Sequence, residues 1–168
     1  MSKPKFIEKT MWILGIIFIC VSVALFAVWA AELKSQPKNV ALTTAAWNAF
    51  NAGNYPLAIS KARECIDEFR GAADRQQAKL EKQKVSSPSE GRVGQTERQK
   101  ILARGPLNDA ATCYYVIGRS AEYLNKLDLA KEAYENATRY TYARTWDPAG
   151  QLFWSPAEAA SDRLAGLK

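Results

Sequence analysis

Two stretches of this 168-residue chain place small residues at the same intervals, and that echo limits the fold more than any other feature. Ala46, Ala58, Ala62 and Cys65 stand 12, 4 and 3 residues apart, and Gly118, Ala130, Tyr134 and Ala137 repeat those intervals 72 residues later. The neighbours agree: Leu42 answers to Tyr114, Ala45 to Ile117, Ala49 to Ala121 and Tyr55 to Leu127. Small residues at helical spacing let two antiparallel helices approach closely, while the larger ones fill the seam with the next helix. The pattern therefore predicts two helical hairpins.

Local signals support the first of them. Leu42, Ala45, Ala46, Ala49 and Phe50 recur at helical spacing and predict a helix over Val40 to Ala52. Gly53 then serves as a C-terminal stop, Asn54 as an N-cap and Pro56 as an early position of the second helix. The two copies together resemble the tetratricopeptide repeat, a helix–turn–helix unit of about 34 residues with an aromatic-x2-Leu-Gly-x2-Tyr segment followed by Ala-x3-Phe-x2-Ala. Tyr114, Ile117, Gly118, Ala130, Tyr134 and Ala137 fall on that pattern, with Ala121 in place of its tyrosine. In the first copy Leu42, Ala46, Tyr55, Ala58 and Cys65 fit, with Ala62 at the bulky position. The resemblance implies a curved helical surface that holds other proteins, and names no particular partner. Two copies are fewer than the three or more such arrays usually need, so other segments must complete the stack.

The offset of 72 leaves an insertion, at about residues 73–105, between repeats at about 40–72 and 111–144. Ala72 to Lys84 is rich in strong helix formers and extends the second helix beyond the hairpin, as an arm. Val85 to Gly94 reads as a loop, and Thr96-Glu97-Arg98-Gln99 as a capping box opening a short helix that Gly105-Pro106 ends. Between Arg75 and Arg104 eight basic residues face three acidic ones, a net of +5. Arg75, Lys79, Lys82 and Arg98 are thus candidate contacts to an anionic lipid surface or polymer, or to an acidic partner. No stacking aromatics or groove-reading motif accompanies them, which argues against nucleic acid.

After the second copy, Tyr140 to Trp154 carries five aromatic residues broken by Asp147-Pro148 and Gly150. So much apolar surface demands burial, and the rings are expected to fold back over the stack within a cap at 145–168. Trp146, Phe153 and Trp154 are the alternative, as anchors for a partner. Ser155-Pro156-Ala157-Glu158 is a capping box opening a final helix.

Ahead of the repeats, Thr10 to Ala31 runs for 22 residues without a charge. As a helix it spans about 33 Å, against a hydrocarbon core of about 30 Å, and Trp12 and Trp29 lie near its ends. It reads as a transmembrane signal anchor. A cleaved signal peptide is the rival, with Val28-Trp29-Ala30 as the cleavage site, but the run exceeds a typical h-region. Lys3, Lys5 and Lys9 before the span, against Lys34 and Lys38 after it, place residues 1–9 in the cytoplasm. The connector 32–39 and the domain 40–168 then lie on the far, extracytoplasmic side, periplasmic in a bacterium.

Chemistry is sparsely provided for. The chain has no histidine, which removes the commonest general base and metal ligand. Three cysteines at wide spacing are neither a zinc site nor a disulfide framework. Cys65 and Cys113 are read first as small core residues and alternatively as a disulfide, which the far side of a membrane permits. No cofactor motif and no catalytic pair stand out. The expectation is an all-α, membrane-anchored, non-enzymatic scaffold or accessory subunit for protein partners in a membrane complex, with a chaperone-like module for envelope clients as the alternative.

Overall fold

The computed structural model describes residues 36–167, and the expected membrane anchor at Thr10–Ala31 lies outside them. Among the described residues no helix is long and apolar enough to cross a membrane. Among these residues six helices run as α1 (Lys38–Asn51), α2 (Tyr55–Lys82), α3 (Gln95–Leu102), α4 (Gly105–Tyr123), α5 (Leu127–Thr138) and α6 (Pro156–Gly166). Two short strands, β1 (Thr145–Asp147) and β2 (Leu152–Trp154), separate α5 from α6.

The hairpins α1–α2 and α4–α5 are turned by the same device. Gly53 has φ +73°, Gly53 N donates to Phe50 O at 2.9 Å and Asn54 N to Ala49 O at 2.9 Å. This is the paired closure that absorbs the last carbonyls of a helix around one left-handed residue. Seventy-two residues on, Asn125 has φ +54°, and its N–H reaches Glu122 O at 2.9 Å while Lys126 N reaches Ala121 O at 2.8 Å. Asparagine is the residue after glycine that best tolerates this conformation. Asn54 caps α2 by accepting from Leu57 N at 3.2 Å, with Pro56 in the first turn.

Helix α4 is the centre. It packs against α1, α2, α5 and α6, and Leu107, Ala110, Ala111, Cys113, Val116, Ile117, Gly118 and Ala121 are all buried. A helix apolar on nearly every side belongs inside a fold. The small residues of the repeated pattern meet here: Ala46, Ala58, Ala62, Cys65, Ala130, Tyr134 and Ala137 have no exposed surface. Tyr55 is half-buried at the start of α2. Gly118 is required at its position, because a Cβ there would lie 2.6 Å from Tyr134 Cδ1 and 2.7 Å from Cζ.

The insertion does not stand away as an arm. The extension of α2 buries Ala73 and Gln77 against the chain that follows α5. Gln77 Nε2 donates to Thr141 Oγ1 at 2.9 Å, Tyr140 donates to Asp74 Oδ1 at 2.7 Å, and Tyr142 to Val85 O at 3.0 Å. Two buried tyrosines thus hold the extension down. Helix α3 inserts Ile101 into the interior, and Asn108 of α4 donates to Ile101 O at 2.7 Å while accepting from Arg144 N at 3.0 Å. Thr96 caps nothing: α3 begins after Gly94 and has no side-chain cap.

The cap also differs from a purely helical expectation. β1 and β2 pair antiparallel with Trp146 opposite Phe153, and Gly91 of the insertion joins β2 through N–H and C=O bonds to Phe153 of 2.7 and 2.9 Å. Aromatic residues favour such a pleated, half-buried surface, and Asp147 Oδ1 turns the chain by accepting from Ala149 N at 2.9 Å. Ser155 then caps α6 by accepting from Glu158 N at 3.2 Å.

Candidate functional site

Helix α4 has one open stripe. Tyr115, Arg119 and Tyr123 follow one another at intervals of four residues, and all three keep exposed surface. Four residues bring side chains to one side of a helix. Opposite them, α1 presents Trp47 and Phe50, α2 contributes Tyr55 at its first turn, and β2 adds Trp154.

These six rings form one continuous strip. Tyr55 and Tyr123 stack with planes 3° apart and centroids 4.6 Å apart. Phe50 meets Tyr123 at 5.7 Å and Tyr55 at 5.7 Å, and Trp47 meets Phe50 edge-on at 5.5 Å. Trp154 continues the strip, 6.5 Å from Trp47 and 5.1 Å from Tyr115. Each ring is half-buried except Tyr123, which is 56% exposed. Offset and edge-to-face pairs at these separations are the favoured aromatic geometries. They hold the rings rigidly while leaving faces open to solvent.

Arg119 sits among them, its guanidinium 5.7 Å from the Tyr123 ring and 6.0 Å from Phe50. Its Nε is buried and lacks a hydrogen-bond acceptor. Glu122 Oε2 lies 3.6 Å away, close enough for attraction but beyond a hydrogen bond. Glu122 is engaged elsewhere: Tyr134 donates to its Oε1 at 3.0 Å, and Arg163 of α6 grips both oxygens, with Nε 3.0 Å from Oε1. That carboxylate ties α4, α5 and α6 together beneath the strip. Burial, and then the Glu122 carboxylate, hold the Tyr134 hydroxyl protonated well above the ordinary tyrosine range.

The residues singled out in the sequence fall into three places. Arg98, Trp146 and Phe153 come together, with the Arg98 guanidinium 4.1 Å from the Trp146 ring centroid and Trp146 and Phe153 5.0 Å apart. Phe153 is 1% exposed and belongs to the interior, and its two companions clamp α3 onto the strand pair. Trp154, one residue on, points to the other side of β2, as strand alternation requires, and joins the aromatic strip. Arg75, Lys79 and Lys82 form an exposed ridge along α2, and Arg75 and Lys79 line a shallow depression with Ala72, Gln76, Leu80 and Gln83. No ion pair among the described residues includes any of the three.

Trp47, Phe50, Tyr115, Arg119 and Tyr123 are not legible as a site in the repeat pattern. Shifted by 72 residues, Trp47 falls on Arg119, Phe50 on Glu122, Tyr115 on Thr43 and Tyr123 on Asn51. The rings are therefore not a property of the repeat unit. The usable signal was helical spacing off the small-residue face: Trp47 and Phe50 three apart in α1, and Tyr115, Arg119 and Tyr123 four apart in α4.

Among the described residues no three His, Cys, Asp or Glu side chains are grouped as a metal site. Comparison with known proteins gives no match, whether to a family model, a curated protein or a solved structure.

Proposed function

We infer that this chain is a non-enzymatic, membrane-anchored scaffold or accessory subunit whose tetratricopeptide-like hairpins bind a protein partner on the face shared by α1 and α4. One observation carries the reading: Trp47, Phe50, Tyr55, Tyr115, Tyr123 and Trp154 form a connected, half-open strip around an arginine short of an acceptor. Tyrosine, tryptophan and arginine are the residues that dominate protein binding energy when a partner dries them. The rings are braced by one another, so little entropy is lost when a partner arrives. An apolar segment bearing a carboxylate would cover the rings and pair with the part of the Arg119 side chain that stays open to solvent. The 22-residue apolar stretch at Thr10–Ala31 supports anchorage in a membrane, with the helical domain on the extracytoplasmic side.

A second contact is favoured by the Arg75, Lys79 and Lys82 ridge, whose charges are exposed and without ion-pair partners among the described residues. It suits an anionic lipid surface or polymer near the anchor.

The experiment is purification of the full-length chain in mild detergent, with a photocrosslinking residue at position 123. A discrete, stoichiometric companion crosslinked there supports the subunit reading. A chain that migrates alone sinks it, and a broad smear of crosslinks favours the chaperone-like alternative. Tyr123→Ala, which removes a ring more than half exposed, should leave folding intact and weaken the companion's binding by about 30-fold, the scale of a hot-spot residue.

A further inference from the structure

Beneath the aromatic strip, three helices meet at a cluster of two sulfurs and one hydroxyl. Thr43 of α1 lies with its Oγ1 3.5 Å from Cys65 Sγ of α2 and 3.5 Å from Cys113 Sγ of α4. Both cysteines have no exposed surface. We propose that Cys65 and Cys113 form a disulfide in the mature protein, a covalent tie between the first hairpin and the second. The proposal rests on the extracytoplasmic placement of the domain, where such bonds persist.

Two features of the cluster favour the bond. The two sulfurs converge on a single oxygen and lie within hydrogen-bonding reach of each other. Thr43 donates its own proton to Asn39 O at 2.9 Å, so it offers the thiols only acceptor lone pairs. Oxidation removes both S–H protons and therefore strands no buried donor at this site.

The chemistry is thiol–disulfide exchange with the disulfide of a dithiol oxidoreductase. The thiolate of one of the two cysteines attacks one sulfur of that disulfide, forming a mixed disulfide and expelling the other as a thiolate. The thiolate of the second cysteine then attacks the first cysteine's sulfur, closing the Cys65–Cys113 bond and releasing the second sulfur of the oxidoreductase. Two thiols of this chain lose two electrons and two protons, and the oxidoreductase leaves as its dithiol. Because both sulfurs are enclosed in the folded domain, exchange takes place before α4 docks on α2. The bond then fixes the spacing of the two hairpins, and with it the spacing of α1 and α4, whose rings form the partner face.

The test is a thiol count on the full-length chain with Cys20→Ser, in its native membrane, quenched in acid, denatured and alkylated with a mass-tagged maleimide. No tag before reduction and two tags after it are expected, with each of Cys65→Ala and Cys113→Ala leaving one taggable thiol without reduction. Two tags before reduction overturn the proposal. A separate Lys131→Cys variant, at an exposed position of α5, is treated with membrane-impermeant maleimide on intact cells. Labelling there together with two untreated thiols overturns the disulfide alone. Failure to label overturns the extracytoplasmic placement, while the thiol count still decides the bond.

Discussion

Replacing Gly118 by alanine tests the packing that joins the second hairpin to itself. Gly118 lies inside α4, where alanine is favoured over glycine by ~1 kcal/mol on backbone grounds alone. Taken in isolation the change should stabilise. The structure predicts the opposite, because the added Cβ would stand 2.6 Å from Tyr134 Cδ1, 2.7 Å from Cζ and closer still to Cε1. Carbon atoms rest at about 3.5–4.0 Å, so the ring would have to retreat by about 1 Å. Tyr134 has little freedom to do so. It has no exposed surface, its hydroxyl is held by Glu122 at 3.0 Å, and its ring packs 5.8 Å from that of Tyr115. Overpacking of this kind costs about 3 kcal/mol at the upper end. After the ~1 kcal/mol helix gain, a net loss of ~2 kcal/mol remains.

The first hairpin supplies the control, since its equivalent pair is Ala46 and Ala62, both without exposed surface. Tyr134→Ala should cost ~3–5 kcal/mol by itself. Adding Gly118→Ala to that background should then stabilise by up to ~1 kcal/mol, a change of sign and a coupling of ~3 kcal/mol. Urea unfolding of the full-length chain in mild detergent, followed by tryptophan fluorescence, reads the midpoint shift at constant slope. Stabilisation by Gly118→Ala in the wild-type background would show that the Tyr134 ring does not press on this position. So would an equal loss in both backgrounds.

Glu122→Gln should lower stability by ~2 kcal/mol, the scale of losing charge-assisted hydrogen bonds. The substitution leaves Arg119 and Arg163 facing each other across α4 and α6, and a thermal melt checks it. Tyr134 and Tyr140 are both kept protonated above the ordinary range, first by burial and then by Glu122 and Asp74. Unfolded tyrosines ionise near pH ~10 while these stay protonated in the fold, so stability should fall as pH climbs beyond that point. Tyr140→Phe should flatten that decline by up to ~1.4 kcal/mol per pH unit, and an unchanged slope in alkaline urea titrations would count against it. Burial raises the Asp109 carboxyl above its usual range, opposed chiefly by the hydrogen bond from Asn39. Its native form therefore binds protons more tightly than the unfolded chain, and stability drops as pH rises past ~3.9. Asp109→Asn, which keeps an acceptor for Asn39, should be more stable than wild type at pH 7 and equal to it at pH 3.

Local features were legible from the sequence because their bonds close within six residues. Gly53 and Asn54 specify the first turn through contacts to Phe50, Ala49 and Leu57, and Ser155 specifies the start of α6 through Glu158. The small-residue intervals marked the core for a similar reason: helical periodicity is a property of the segment itself. Thr96 shows the edge of that reasoning, since a capping sequence is idle when the helix has already begun at Gln95.

What the tertiary structure alone decided depends on partners far along the chain. Helix-forming residues 72–84 read as a free arm until Tyr140, 66 residues from Asp74, and Tyr142, 57 from Val85, are brought across them. Phe153 stays open between core residue and partner anchor until Gly91 pairs with its backbone and its ring is enclosed. The aromatic strip is decided in the same way. Trp47, Phe50, Tyr115 and Tyr123 occupy unrelated positions of the two repeats, and they become one surface only because α4 lies beside α1. The repeat pattern determined which faces are buried, since close packing leaves its mark every few residues. The face left open was set by which helices became neighbours, and no short interval of sequence encodes that.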